Sequence, residues 1–136
     1  MKTEVLKTEH YCIEVNLSKN RIYFAVLAKW SGIKDFENFE EVWIETAKRM
    51  KPNFTIHSDL RLMPKLNYDI EALFGRIQSY LIENGLIALA ETAAVDDISN
   101  LQIHRLSERN QMPVNKFKTE EEAENYLDQL VANLNM

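Results

Sequence analysis

His57, Ser58 and Asp59 are consecutive, and together they supply the three residue types of a hydrolytic relay: nucleophile, base and orienting carboxylate. Successive side chains of a strand point to opposite faces, so three neighbours on a strand cannot form one hydrogen-bonded relay. Asp59 closes an apolar run ahead of a helix. There a carboxylate can act as acid or base, cap the loop by accepting backbone N–H bonds, or pair with Arg61. Capping or pairing is the expected role, because loop aspartates commonly serve turns. The following stretch, Leu60 to Asn67, brings Arg61 and Lys65 to the start of a helix whose first N–H groups have no intrahelical partner. This corner is a candidate site for an anion or a partner's carboxylate, with Asn67 expected to cap the helix. Met63 and Trp30 complete the candidate ligand or partner site of Asp59, Arg61, Met63, Lys65, Asn67 and Trp30. Trp30, just before Ser31-Gly32, is expected to be partly exposed.

Other chemistry finds less support. His10, His57 and His104 fall in separate elements, and no His/Cys/Asp/Glu spacing matches a metal site. His10 and Cys12 share a strand face, which offers two ligands where zinc sites use three or four. Cys12 reads as a small, partly buried residue, since no neighbouring cation favours its thiolate. Trp30, Phe36, Phe39, Trp43 and Met63 are candidates for an apolar pocket or dimer surface, although their spacing suits a core. No Gly-rich phosphate loop or nucleophile motif occurs, so no cofactor is expected.

The chain that must position these groups has 136 residues and 15.9 kDa, with 46% hydrophobic and 27% charged residues. That balance suits one globular domain over residues 1–136, its core at about 10–134. Sixteen Lys and Arg against 21 Asp and Glu give a formal charge of -5, which opposes general affinity for nucleic acid or anionic membrane. The single cysteine precludes an internal disulfide and suits a reducing compartment. With no long apolar run at Met1–Glu9, the expected location is the cytoplasm.

Alternation of Tyr11, Ile13, Val15 and Leu17 predicts a strand with one wetter face. Residues 22–30 are apolar on both parities and predict a strand covered on both sides, hairpin-paired with the first. Phe36, Phe39, Trp43, Ala47 and Met50 predict a helix capped by Asp35 and stopped by Pro52. A strand follows at Phe54–Leu60, then a helix carrying Ile70, Leu73, Phe74, Ile77 and Leu81 that ends at Asn84-Gly85. Leu86–Ala90 predicts a strand, Ile98, Leu101 and Leu106 a third helix, and Val114–Phe117 a short last strand. Thr119 and Glu122 form a capping box before the stripe Ala123, Tyr126, Leu127, Leu130, Val131 and Leu134. The expected fold is an α/β domain of order ββαβαβαβα, a mixed sheet of about five strands with four helices.

Three stretches are similar to the SpoIIAA-like branch of the STAS superfamily, small bacterial proteins related to CRAL-TRIO-like folds. Phe54-Thr-Ile-His-Ser-Asp59-Leu60-Arg61 resembles that family's central strand, Gly85 with Ala88 and Ala90 its next strand, and Phe117-Lys-Thr-Glu-Glu-Glu-Ala123-Glu-Asn-Tyr126-Leu127 its final helix. The resemblance spans most of the chain and implies a non-enzymatic binding or regulatory module. Such a module acts through a protein partner or a small apolar or anionic ligand. The loop from Leu60 to Asn67 has no hydroxyl residue, so the phosphorylatable Ser of anti-sigma-factor antagonists has no counterpart there. Ser58 lies inside the strand, its hydroxyl expected to be buried or bonded to backbone. A second resemblance, to the receiver domain of response regulators, rests on Asp59, Met63-Pro64, Thr92 and Lys116 in that order. It departs at the first strand, where Glu14 stands in place of the acidic pair that holds Mg²⁺, and Met63-Pro64 sits one residue too far on. The remaining expectation is a small acid/base enzyme centred on Asp59 with His57 or His104.

Overall fold

The computed structural model describes residues 1–135. Its order is β1 (Thr3–Lys7), β2 (Tyr11–Asn16), β3 (Arg21–Val26), α1 (Phe39–Lys48), β4 (Phe54–Asp59), α2 (Tyr68–Glu83), β5 (Leu86–Thr92), α3 (Asp97–Arg109), β6 (Val114–Phe117) and α4 (Glu120–Leu134). The strands form one mixed sheet of six in sequential order, β1 to β6. β1–β2 and β2–β3 are antiparallel, and β3 through β6 run parallel. The architecture is therefore α/β with four helices, as expected, but with six strands rather than about five and the order βββαβαβαβα. The missed strand is β1. It pairs with one neighbour only, and an irregularity between Glu4 and Leu6 breaks its alternation, so both Val5 and Leu6 pack on the core.

The first helix also begins later than its spacing implies. Asp35 does not cap α1: it lies within a single 3-10 turn at Ile33–Phe36, where its Oδ2 accepts from Ser31 N at 2.6 Å. Asn38 then takes a left-handed conformation, φ 62°, and α1 starts at Phe39. Phe36 is buried from the turn and stacks on Tyr11, which made the helical periodicity look continuous. In α3 the expected stripe is rotated: Ile103 and Leu106 are buried, whereas Ile98 and Leu101 are exposed.

Helices α1, α2 and α3 cover one face of the sheet, where Ile13, Phe24, Ile56 and Leu89 meet Trp43, Leu73, Ile77 and Ile103 in the main core. Each such side chain contributes roughly 1.5–3 kcal/mol by burial. The second face carries α4, whose fully buried Ala123 and Leu127 pack on Ala88 and Ala90 of β5. Thr119 caps α4 by accepting from Glu122 N at 3.1 Å. The turn from α2 to β5 depends on Gly85, at φ 108°, where a Cβ would lie 3.2 Å from Pro52 Cα. No described helix is long and apolar enough to cross a membrane.

Candidate functional site

β4 divides the three adjacent polar residues between the two faces. Tyr23, His57 and Ala90 lie in register across β3, β4 and β5 on the α4 side, and Phe24, Ser58 and Glu91 lie in register on the side of α1–α3. His57 and Asp59 thus face away from Ser58, and no relay among the three exists.

On the α4 side the polar groups are consumed by one network. Glu124 of α4 lies 2.9 Å from His57 Nδ1, 2.8 Å from Lys19 Nζ and 2.9 Å from Arg21 Nη1, and accepts from the Tyr23 hydroxyl at 2.6 Å. Arg21, 1% exposed, also reaches Asp128 at 2.8 Å and donates to Thr55 Oγ1 at 2.9 Å. Burial alone would raise the Glu124 carboxyl. The bonds from His57, Lys19 and Tyr23 and the charge of Arg21 outweigh it and hold that carboxyl well below the usual range. Burial, then the bond to Glu124, pushes the Tyr23 phenol well up. The network fastens α4 to β3 and β4, because a buried guanidinium is tolerated only with paired carboxylates. A groove of about 350 Å³ beside it is bordered by Lys2 and by Glu14, Asp59, Glu120 and Glu121, an excess of carboxylates unfavourable to anions.

The six residues singled out from the sequence do not converge. Asp59 and Arg61 form a two-pronged pair, Nε to Oδ1 at 2.9 Å and Nη2 to Oδ2 at 2.7 Å, and Arg61 also reaches Glu120 at 3.1 Å. Burial opposes ionisation of Asp59, but Arg61 overcomes it and holds the carboxyl below its ordinary range. Asn67 caps α2 by accepting from Ile70 N at 2.9 Å, as expected. Asp69 and Glu71 occupy that first turn, so its positive end is already answered. Lys65 is exposed. With Arg61 neutralised twice and the α2 terminus capped, the expected anion corner is not assembled. Trp30 is buried at 9% exposure rather than partly exposed, its ring edge-to-face with Phe36 at 4.7 Å. Met63 is buried too, and it lines a cavity on the opposite side of the sheet from Asp59. Nor do His10 and Cys12 pair: His10 Nδ1 lies 3.0 Å from the Lys29 carbonyl. Among the described residues no three His, Cys, Asp or Glu are placed to hold a metal ion.

That cavity, of about 80 Å³, lies between the sheet and α2 and α3. Its wall is apolar, with Ile56, Met63, Ile77, Leu89, Ile103 and Met112, and polar groups enter it from Ser58, Gln78, Glu91 and Ser107. Gln78 and Ser107 bond each other at 3.3 Å. Glu91 is 2% exposed, and its Oε2 has no hydrogen-bond partner. The neighbouring Lys116 Nζ stands 3.9 Å away, beyond hydrogen-bond reach, and donates to Asn100 Oδ1 at 2.8 Å instead. Burial raises the Glu91 carboxyl above its ordinary value, with Lys116 opposing. Glu91 escapes the sequence pattern because the apolar run ends at Ala90. The strand runs on to Thr92, and Glu91, two residues after the inward Leu89, is carried inward by the same period of two.

The chain matches no family model, no curated protein and no solved structure in comparisons with each.

Proposed function

We propose that the chain is a non-enzymatic binding module, SpoIIAA-like in kind, whose small ligand enters the cavity between the sheet and α2–α3. The observation that carries this reading is the buried Glu91 Oε2, a polar atom without a partner on the wall of an apolar space. Buried polar groups in folded proteins are normally satisfied, and a concave apolar site with a few polar groups is the usual form of a small-molecule pocket. The ordered strand–helix alternation behind the SpoIIAA-like resemblance supports the same reading. An acid/base enzyme or a receiver-like phosphoacceptor at Asp59 is less well supported, since Arg61 holds that carboxylate ionised and paired. A fragment screen by ligand-observed NMR, run on the wild type and on Ser107→Leu, tests the proposal. Small apolar fragments are expected to bind the wild type and to lose affinity in the filled variant. An empty screen, or hits indifferent to Ser107→Leu, overturns it.

A second reading, a protein-partner surface, rests on the loops after β4 and β5. Val95 N bonds the Arg61 carbonyl at 3.2 Å, which sets the exposed Leu62 and Val95 close together. Sedimentation of the wild type against Leu62→Lys/Val95→Lys tests whether this face joins copies of the chain: concentration-dependent association lost in the variant supports self-association, and a monomer at all concentrations excludes it.

A further inference from the structure

The cavity states the chemistry of its occupant more narrowly than a general small ligand. Its volume of about 80 Å³ is roughly half that of an engineered apolar cavity, ~150 Å³, known to admit benzene. The occupant is therefore a few-carbon molecule. Charge is disfavoured in both directions. An anion would stand against the Glu91 carboxyl, and an ammonium would exchange its hydration for one carboxyl, a few neutral polar groups and a mostly apolar wall. A hydroxyl meets the requirement, because it both donates and accepts. Ser58 and Glu91 lie in register on adjacent strands and line the same space, so one hydroxyl oxygen can stand between the two.

We infer that the cavity takes a small neutral alcohol, its hydroxyl held by Glu91 and Ser58 and its carbon chain lying against Met63, Ile77 and Leu89. This rests on the reading of the cavity as the ligand pocket. The hydroxyl donates to Glu91 Oε2 and accepts from the Ser58 hydroxyl, which satisfies the orphaned oxygen. The carbon chain displaces whatever water the apolar wall holds poorly. Water is the competing occupant, since the space admits roughly two or three molecules at ~30 Å³ each. The distinction between water and an alcohol lies in that wall, where water would find no partners.

The test is a titration of protein carrying ¹³C-methyl methionine with ethanol and with chloroethane, which is similar in size but has no donor. The Met63 and Met112 methyl signals, assigned with Met63→Leu and Met112→Leu, report on the cavity wall. Ethanol is expected to saturate their shifts at a concentration lower by about fivefold, the worth of one hydrogen bond. Glu91→Leu is expected to abolish that preference. Equal affinity of the two probes in the wild type overturns the alcohol assignment and leaves the pocket standing. If neither probe nor dissolved xenon moves these methyls, the pocket reading falls with it. The wild-type comparison decides the matter even where a variant fails to fold.

Discussion

Glu91 on β5 stands in register with Ser58 on β4, and both line the cavity under α2 and α3. The chain neighbours of Ser58, His57 and Asp59, are turned to the α4 side. One strand thus serves two environments. On one side a carboxylate, Glu124, is bonded by His57, Lys19, Arg21 and Tyr23; on the other a carboxyl oxygen of Glu91 is left with none.

Leaving a buried acceptor unpaired costs about 1–3 kcal/mol. Glu91→Leu, which keeps most of the volume and removes the orphan, is expected to raise unfolding stability by an amount in that range. Urea denaturation of the two proteins measures it. A loss of stability would show that Glu91 is satisfied in the native state.

The two glutamates give stability opposite dependences on pH. The folded-state pKa of Glu91 lies above its unfolded value of ~4.3, so its contribution is full below that value and is lost as pH rises through the folded pKa. The folded-state pKa of Glu124 lies below its unfolded value, so its contribution is present above ~4.3 and is lost as pH falls. Denaturation free energies measured from acid to neutral pH should show Glu91→Gln flattening the decline on the rising side and Glu124→Gln flattening the acid loss. Parallel profiles for wild type and both variants would contradict the assignment.

Glu124→Ala removes one of two carboxylates from the buried Arg21 and the carboxylate bonded to His57 Nδ1, so a loss of about 3 kcal/mol is expected. Asp128 remains bonded to Arg21 and Lys19, which keeps the loss toward the lower end for a broken buried pair. Chemical denaturation monitored by circular dichroism checks the figure, and a change under 1 kcal/mol would mean that α4 is held by Ala123 and Leu127 alone.

Asp59→Asn is expected to change stability by no more than about 1 kcal/mol, because its partner Arg61 is largely exposed. The same variant is expected to leave fragment binding in the cavity unchanged, Asp59 being on the other side of the sheet. Loss of binding in Asp59→Asn, measured by ligand-observed NMR, would move the site to the groove.

Much of the fold was legible where one element meets one environment. Ile70, Leu73, Phe74, Ile77 and Leu81 of α2 are all buried, since that helix lies between α1 and α3 over the sheet. The Thr119 cap of α4 and the buried Ala123 and Leu127 were legible too, but Leu134 is exposed because α4 lies alone on its face and its last turn extends beyond the packed contacts. β1 was not legible: a five-residue edge strand with an irregular register leaves little periodicity to read. The site was the least legible part. Asp59 and Arg61 attract notice as charged loop residues, yet they neutralise each other at two residues' separation. Glu91 looks like an ordinary strand-end acid, and its burial depends on Ser58 and Ile103, which are distant in sequence.

A crystal pressurised with xenon tests the ligand pocket most directly, because xenon enters apolar cavities without needing a polar partner. The account predicts xenon between the sheet and α2–α3, in contact with Met63, Ile77 and Leu89. A cavity without xenon, filled by ordered waters bonded to Glu91 Oε2, would contradict it.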